Sequence, residues 1–369
     1  MKLSLTQENL SRALASVGRV VSNRASLPVL SNILLTTEGN RLRLSATNLE
    51  LGINYWVGSK IEREGSVTIP AKLFAEFVSN LPKGTINLEA TDTSLTITTS
   101  HYQSRINGIG SDEFPPIPQV SSDPVLALEA SVLREALTQV VIAASVDEAR
   151  PVLAGVYMYT DEDDLYLVAT DSYRLAEKRL ALAAPASKPI KVIVPVRTMQ
   201  ELVRLLGETT GSVEIYLDDN QVMFRVEEVE LVSRLIEGQF PNYRQIIPEQ
   251  VETSFDIPTA DLVRVVKVAS LFARESAGSI KVVIKSEGEM SVVASDSEVG
   301  GNTSSAECEV SGDDGEISLN ARYLQDALSV IKSRNVTFAI SGKLNPCIVS
   351  PAGEDESDDY VHIVMPLRT

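Results

Sequence analysis

The side chains best suited to nucleophilic attack, proton transfer or soft-metal binding are few. The chain has two histidines, His101 and His362, and two cysteines, Cys308 and Cys347, in 369 residues. A hydrolytic triad needs a histidine within reach of a serine or cysteine set in a sharp turn, and no nucleophile-elbow motif is present. Both histidines sit in strand-like alternation, where a side chain simply faces one side of a sheet. The cysteine spacing matches no metal or redox motif. Gly108-Ile109-Gly110 is followed by Ser111-Asp112-Glu113, which breaks a dinucleotide fingerprint and opens no apolar helix, so it reads as a turn. Acidic residues offer more: Asn48, Asp171 and Asp296 recur at similar places, and Glu354-Asp355-Glu356-Ser357-Asp358-Asp359 forms a run. The recurring Asx residues follow strands, where such side chains bond local backbone, and the run reads as an exposed hairpin loop. No catalytic residue, metal site or cofactor is expected.

Elements must therefore carry the function. The chain is about two to three times a typical domain, and 44% hydrophobic residues with a mean hydropathy of +0.04 suffice for sizeable cores. With 33 basic and 50 acidic side chains the net charge is −17, which excludes a surface that binds nucleic acid or anionic lipid everywhere and leaves room for a local basic patch. The polar start Met1-Lys2-Leu3-Ser4-Leu5-Thr6-Gln7-Glu8 does not read as a secretory leader, and no apolar run nears the roughly 18 residues of a membrane span. Two cysteines suit a reducing compartment, so a cytoplasmic protein without membrane contact is expected.

The sequence repeats itself three times. Ala46-Thr47-Asn48, Ala169-Thr170-Asp171 and Ala294-Ser295-Asp296 are spaced by 123 and 125 residues. Ile69-Pro70-Ala71-Lys72, Val194-Pro195-Val196-Arg197 and Leu319-Asn320-Ala321-Arg322 are spaced by 125 and 125. Phe114-Pro115, Phe240-Pro241 and Met365-Pro366 close the three units. One period shared by three landmarks predicts like-built domains over 1–122, 123–249 and 250–369.

Each unit reads as two helices among half-buried antiparallel strands such as Arg41-Leu42-Arg43-Leu44 and Ser212-Val213-Glu214-Ile215-Tyr216, with polar turns such as Glu38-Gly39-Asn40. The fold class is α+β, with the helices on one face of the sheets. Helices are predicted over Thr6–Val20 with Thr6 as cap, Ala71–Ser79 with a Leu73, Phe74, Phe77 stripe, Ser131–Ser145, Val196–Leu206, Thr259–Glu275 and Ala321–Lys332. They contain eleven basic and seven acidic residues, a surplus of four that leaves the rest of the chain at −21. If the helices share a face, that face is electropositive within an acidic shell and attracts phosphate without reading bases.

Four stretches carry a resemblance: Leu27-Pro28-Val29-Leu30-Ser31-Asn32; Ala169-Thr170-Asp171-Ser172-Tyr173-Arg174-Leu175-Ala176; Phe240-Pro241-Asn242-Tyr243-Arg244 with Pro248; and Val364-Met365-Pro366-Leu367-Arg368. In this order the chain resembles, over its full length, the bacterial DNA polymerase III beta subunit family, the replicative sliding clamps. The resemblance implies three clamp domains per protomer, each with two inward-facing helices. Two protomers would close head to tail into a ring that surrounds duplex DNA, tethers the replicative polymerase and is opened by a clamp loader. By the same resemblance, Arg24, Lys72 and Arg150 match DNA-contacting positions. A hydrophobic pocket for short motifs of replication and repair proteins maps onto Leu153, Thr170, Ser172, Tyr173, Arg174, Leu175, Pro241, Ile246, Ile363, Met365, Pro366, Leu367 and Arg368. Gln245 and Pro346 stand where some members have arginine and serine, which alters the rim chemistry. A homodimer contact maps onto Arg105, Ile106, Leu271 and Phe272. The competing readings are a metal-dependent hydrolase using the recurring Asp positions and a peptide-binding scaffold that does not engage DNA.

Overall fold

The computed structural model describes residues 1–21, 27–120, 123–147, 149–207, 209–274, 276–296, 300–353 and 359–367. The fold is α+β and built from antiparallel sheets, with two helices from each of the three repeats. By its contacts the chain divides into two compact units, Met1–Arg134 with Glu201–Leu235, and Glu135–Gln200 with Ile236–Thr369. The division runs through the middle repeat, because that repeat gives strands to two different sheets.

The first unit holds two sheets. One has the spatial order Lys60–Arg63, Lys2–Thr6, Thr85–Thr91, Ser94–Thr98, Gln103–Asn107. The other runs Leu126–Glu129, Ser212–Leu217, Gln221–Val226, Val229–Arg234, Leu51–Gly58, Arg41–Thr47, Asn32–Glu38, Ser66–Pro70. Its continuity across two repeats rests on the antiparallel pair Val229↔Tyr55 to Ser233↔Leu51. The second unit repeats the device. A nine-stranded sheet runs Lys191–Pro195, Gly155–Asp161, Asp164–Thr170, Arg174–Ala181, Tyr360–Val364, Cys347–Ala352, Asn335–Ile340, Thr253–Pro258, Glu309–Gly312. Its joint is Arg174↔Val364 to Lys178↔Tyr360. A four-stranded sheet, Gly300–Glu307, Glu289–Asp296, Ser279–Lys285, Gly315–Asn320, completes the unit.

Alternation builds these strands. Thr85–Thr91 reads exposed-buried throughout, with Ile86 and Leu88 fully buried and Ala90 nearly so. Ile86 and Leu88 each contribute on the order of 1.5–3 kcal/mol by leaving water. The helices are α1 Gln7–Val17, α2 Ala71–Ser79, α3 Ala130–Val140, α4 Val196–Leu206, α5 Thr259–Ser270 and α6 Ala321–Val330. In α1 the buried stripe is Leu10, Ala13, Leu14 and Val17; in α5 it is Leu262, Val265, Val266 and Ala269. These are helical spacings, with the charged residues on the opposite face.

Several expectations need correction. Helices α1, α3, α5 and α6 stop short of their predicted ends. Val141–Ala143 forms a separate 3₁₀ turn, and Leu271 lies just past α5. Thr6 makes no side-chain cap bond; it ends a strand opposite Thr85, and the free donor of Gln7 is met instead by the Gly84 carbonyl at 2.8 Å. Asn320 does cap α6, accepting from the Arg322 amide at 2.9 Å. Leu73 is half exposed, since the buried stripe of α2 is Ala71, Phe74 and Val78 and Leu73 lies off it. His101 belongs to the bend between two strands rather than to a strand. No helix among the described residues is long and apolar enough to cross a membrane. Among those residues, no group of three or more side chains could hold a metal ion. Residues 354–358 of the acidic run lie outside the described residues, and Asp359 pairs with Arg179 at 2.6 Å.

Candidate peptide cleft and nucleic-acid face

The turn Thr170–Arg174 is the centre of the candidate site in the second unit. Thr170 ends a strand, and its hydroxyl donates to the Arg174 carbonyl at 2.6 Å while accepting the Ser172 amide at 3.1 Å. Asp171 Oδ1 accepts the amides of Tyr173 and Arg174 at 2.9 and 3.0 Å, and its Oδ2 takes Arg174 Nε at 3.1 Å. This Asx turn holds Ser172 at φ +78°, a left-handed conformation that costs a non-glycine residue about 1–2 kcal/mol. Every contact of the Asp171 carboxylate serves the turn, which explains the recurring Asx position and supports no metal chemistry. Asn48 repeats the arrangement in the first unit, accepting the amides of Glu50 and Leu51 at 3.1 and 2.8 Å. The side chain of Asp296 lies outside the described residues.

Arg174 is only one-tenth exposed and is fixed from three sides. It pairs with Asp171 and, at 2.5 Å, with Asp326, and its guanidinium lies 4.7 Å from the centre of the Tyr323 ring. Charge-assisted bonds and cation–π contact together set one orientation for the plane. Tyr173 is exposed and stacks at 6.4 Å on Tyr323. Its carbonyl receives the Met365 amide, and the Leu367 amide bonds the Ser318 carbonyl, both at 2.8 Å, so Met365, Pro366 and Leu367 are laced along the cleft. Leu175 and Ile363 are fully buried and, with Phe240 and Tyr243, form the apolar floor against which Ile246 packs. Leu153 is buried on a 3₁₀ turn, Met365, Pro366 and Leu367 are half-buried, and Pro241 is exposed. The expected set thus divides into a sealed floor and an accessible rim. Arg368 lies outside the described residues.

Tyr323 and Asp326 were not anticipated. Their signal was their three-residue spacing on α6, which puts an aromatic and an acid side by side, one residue off the apolar stripe. The tyrosines beside the floor were also missed. Tyr157 stacks on Phe240 at 4.9 Å and on Tyr159 at 4.8 Å, and Tyr159 stacks on Tyr166 at 4.9 Å. Tyr243 Oη meets Tyr159 Oη at 2.7 Å and donates to Glu177. Burial, then these bonds, raise the Tyr243 phenol far above its ordinary pKa, so it stays a donor.

The basic side chains expected on the helices and their ends, among them Arg12, Lys72, Arg197, Arg264 and Arg322, are all exposed. Among the described residues Arg12, Lys72, Arg197, Lys267, Arg274 and Arg322 make no ion pair, whereas Arg204, Arg264 and Lys332 meet Glu201, Asp261 and Glu135. Arg150 is held at the cleft, donating to Ser172 Oγ at 3.1 Å and lying 3.5 Å from Asp147. Arg24 lies outside the described residues. Arg105 and Ile106 sit on Gln103–Asn107, the edge strand of its sheet, and Leu271 and Phe272 follow α5, with Leu271 half exposed.

Known proteins share this fold. Three sequence models of the DNA polymerase III beta subunit match consecutive stretches: its N-terminal domain at residues 1–118, its central domain at 127–242 and its C-terminal domain at 244–368. The beta sliding clamp of Synechococcus elongatus is 32% identical over the whole chain and 99% of its own length. That of Staphylococcus aureus is 28% identical, with both chains fully covered. Among solved structures, the DNA polymerase sliding clamp of Bacillus subtilis superposes with a TM-score of 0.95 at 25% identity, covering all of this chain and 99% of that one. The Pseudomonas aeruginosa clamp bound to griselimycin gives 0.93 at 27% identity, with both chains fully covered. The three matched domains follow one another in order along the chain, so it belongs to the DNA polymerase III beta subunit family, the beta sliding clamps.

Proposed function

We propose that two copies of this sliding clamp close head to tail around duplex DNA and hold the replicative polymerase on it, each copy supplying domains 1–122, 123–249 and 250–369. The observation that carries the reading is the charge of the helices: their basic side chains are uniformly exposed and six carry no ion pair among the described residues, in a chain of net charge −17. A modest cationic lining binds phosphates without fixing a register, so retention is topological and the protein slides. Lys72 is free to meet phosphate directly. Arg24 is assigned the same role from its sequence position, and Arg150 joins them where its contact with Ser172 yields.

The cleft around Arg174 accepts a short hydrophobic motif of the polymerase, the clamp loader or a repair protein. An apolar side chain packs on the rim of Leu153, Ile246, Met365, Pro366 and Leu367 over the floor of Leu175 and Ile363, with Thr170, Ser172, Tyr173, Arg174, Pro241 and Arg368 around it. Protomers meet through Arg105 and Ile106 of one copy and Leu271 and Phe272 of the other, a heterologous contact that must close after two copies. The protein acts in the cytoplasm as a processivity factor and performs no chemistry itself.

The test is retention on circular DNA. Protein assembled by a clamp loader on a nicked circle should survive a high-salt wash and leave once the circle is cut. Equal loss from both forms refutes the ring. A chain ending at Val364 should still be retained on the circle yet no longer hold polymerase; unchanged polymerase binding refutes the cleft assignment.

A further inference from the structure

The two units share one sheet design down to the register, and they differ in what fills it. Leu34↔Ser45, Thr36↔Arg43, Arg43↔Trp56 and Ser45↔Asn54 pair in the first unit as Tyr157↔Val168, Tyr159↔Tyr166, Tyr166↔Arg179 and Val168↔Glu177 do in the second, always 123 residues on. A strap packs on each sheet after the matching Phe-Pro pairs, and Ile117 of the first strap matches Tyr243 of the second, each three residues after its Phe. In the second unit the rings of Tyr157, Tyr159, Tyr166 and Tyr243 pack there, and Tyr243 Oη is bonded on both sides. In the first unit the equivalents are Leu34, Thr36, Arg43 and Ile117, and a cleft of about 540 Å³ is left open between sheet and strap. That volume lies within the range of ligand sites.

The polar groups of this cleft are arranged but not all used. Glu38 takes Arg43 Nη1 at 2.7 Å and the Trp56 indole N–H at 2.8 Å, which fixes both walls. Arg225 is held by Glu230 at 2.9 Å and by the Tyr216 hydroxyl at 2.9 Å. Ser45 donates to Asn54 Oδ1 at 2.7 Å, which leaves the Asn54 amide group to donate. Arg43 Nε is buried and has no hydrogen-bond partner among the described residues. Having no accessible surface, that nitrogen is out of a ligand's reach, and the donor offered to the cleft is the Asn54 amide, which suits an oxygen beside an apolar body.

We propose that this cleft takes a tyrosine side chain presented by a short segment of a partner polypeptide. The ring would occupy the space that aromatic side chains fill in the second unit, against Leu34, Trp56, Phe114 and Ile117, with its hydroxyl accepting from the amide of Asn54, the match of the Glu177 that Tyr243 bonds. The chain thus provides, in its own Tyr243, the template for the guest it receives in the first unit. The inference is independent of the Arg174 cleft, and its failure leaves the clamp reading untouched.

Trp56 is the only tryptophan of the chain and lines the cleft, so its emission reports on this site alone. The probe is the blocked tripeptide acetyl-Ser-Tyr-Ser-amide, titrated to about 10 mM, the range in which one anchored side chain binds. A saturable change in Trp56 emission is expected, about threefold to tenfold weaker with Phe in place of Tyr, the loss that follows from one missing hydrogen bond. Ile117→Tyr, which restores the filling seen in the second unit, should abolish it. Asn54→Leu should keep the ring site and erase the preference for Tyr over Phe, and decides the matter should Ile117→Tyr not fold. A strictly linear response of the native chain, or saturation unchanged in Ile117→Tyr with native circular dichroism, or an undiminished Tyr preference in Asn54→Leu, overturns the proposal.

Discussion

The turns Thr47–Leu51 and Thr170–Arg174 are the same object built twice. Thr47 Oγ1 bonds the Leu51 carbonyl at 2.9 Å as Thr170 Oγ1 bonds that of Arg174, and Leu49 and Ser172 share a left-handed φ of +77° and +78°. Around them the units diverge. The first turn is flanked by a smaller cleft of about 260 Å³ between Leu49, Pro116, Pro118 and Arg234. The second is flanked by a fixed arginine, a sealed floor and the segment Met365 to Leu367. Duplication supplied the frame, and side-chain size decided which junction has a sealed floor and which an open cleft.

The largest expected effect breaks the comparison at the two strap phenylalanines. Phe240 stacks on Tyr157 and meets Tyr243 edge-on at 6.3 Å, whereas Phe114 borders the open cleft. Removing a ring from a packed site costs about 3–5 kcal/mol, and less where one side already lacks partners. Phe240→Ala should lower the opening free energy of its sheet by about 3–5 kcal/mol and Phe114→Ala by about 2 kcal/mol or less, read by hydrogen exchange resolved along the chain. Equal losses would mean that the two straps are packed alike.

The frame was legible because its signals are local and repeated. Asx turns, Phe-Pro pairs and alternating strands recur at one period, and charges on helix faces can be counted without coordinates. What stayed hidden depends on pairing across the sheet. The Tyr157–Tyr159 alternation is visible, but its stacking on Tyr166 and Phe240 follows from register and from the path of the strap. Arg174 could be marked as a rim residue, yet its confinement by Asp326 and Tyr323 needs α6 to be placed from 152 residues away. Strand pairing also corrected the caps: Gln7 is satisfied by Gly84, a partner no local rule supplies.

A second difference between the units titrates. His362 is fully buried, bonds the Tyr360 hydroxyl through Nδ1 at 2.9 Å, and sits opposite Ala176; the matching position of the first unit is Leu231, opposite Ile53. Burial first, and the charge of Arg174 second, push the His362 pKa down to about 3. A lowered value means that the folded state refuses a proton which the unfolded state accepts below pH 6.5. Stability from this group is therefore complete above pH 6.5 and falls as the pH drops towards 3, by up to about 1.4 kcal/mol per pH unit. His362→Leu, copying the first unit, should flatten the acid side of the stability profile of the second unit between those values in urea titrations at stepped pH. An unaltered slope would mean that the acid sensitivity arises elsewhere.

The smallest effect sharpens the likeness of the turns. A left-handed residue that bears a Cβ is strained, and glycine there removes the strain while adding freedom to the unfolded chain. Leu49 is half exposed, so Leu49→Gly exchanges little buried surface and should stabilise its unit by a few tenths of a kcal/mol up to about 1 kcal/mol. Ser172→Gly relieves the same strain, but it also removes the oxygen that accepts from Arg150 Nη1. With that exposed bond worth about 0.5–1 kcal/mol, the two terms should nearly cancel and leave the melting temperature of the second unit within error. A gain at Ser172 equal to that at Leu49 would show that Arg150 is not anchored at the cleft in solution, which would release its charge to meet phosphate.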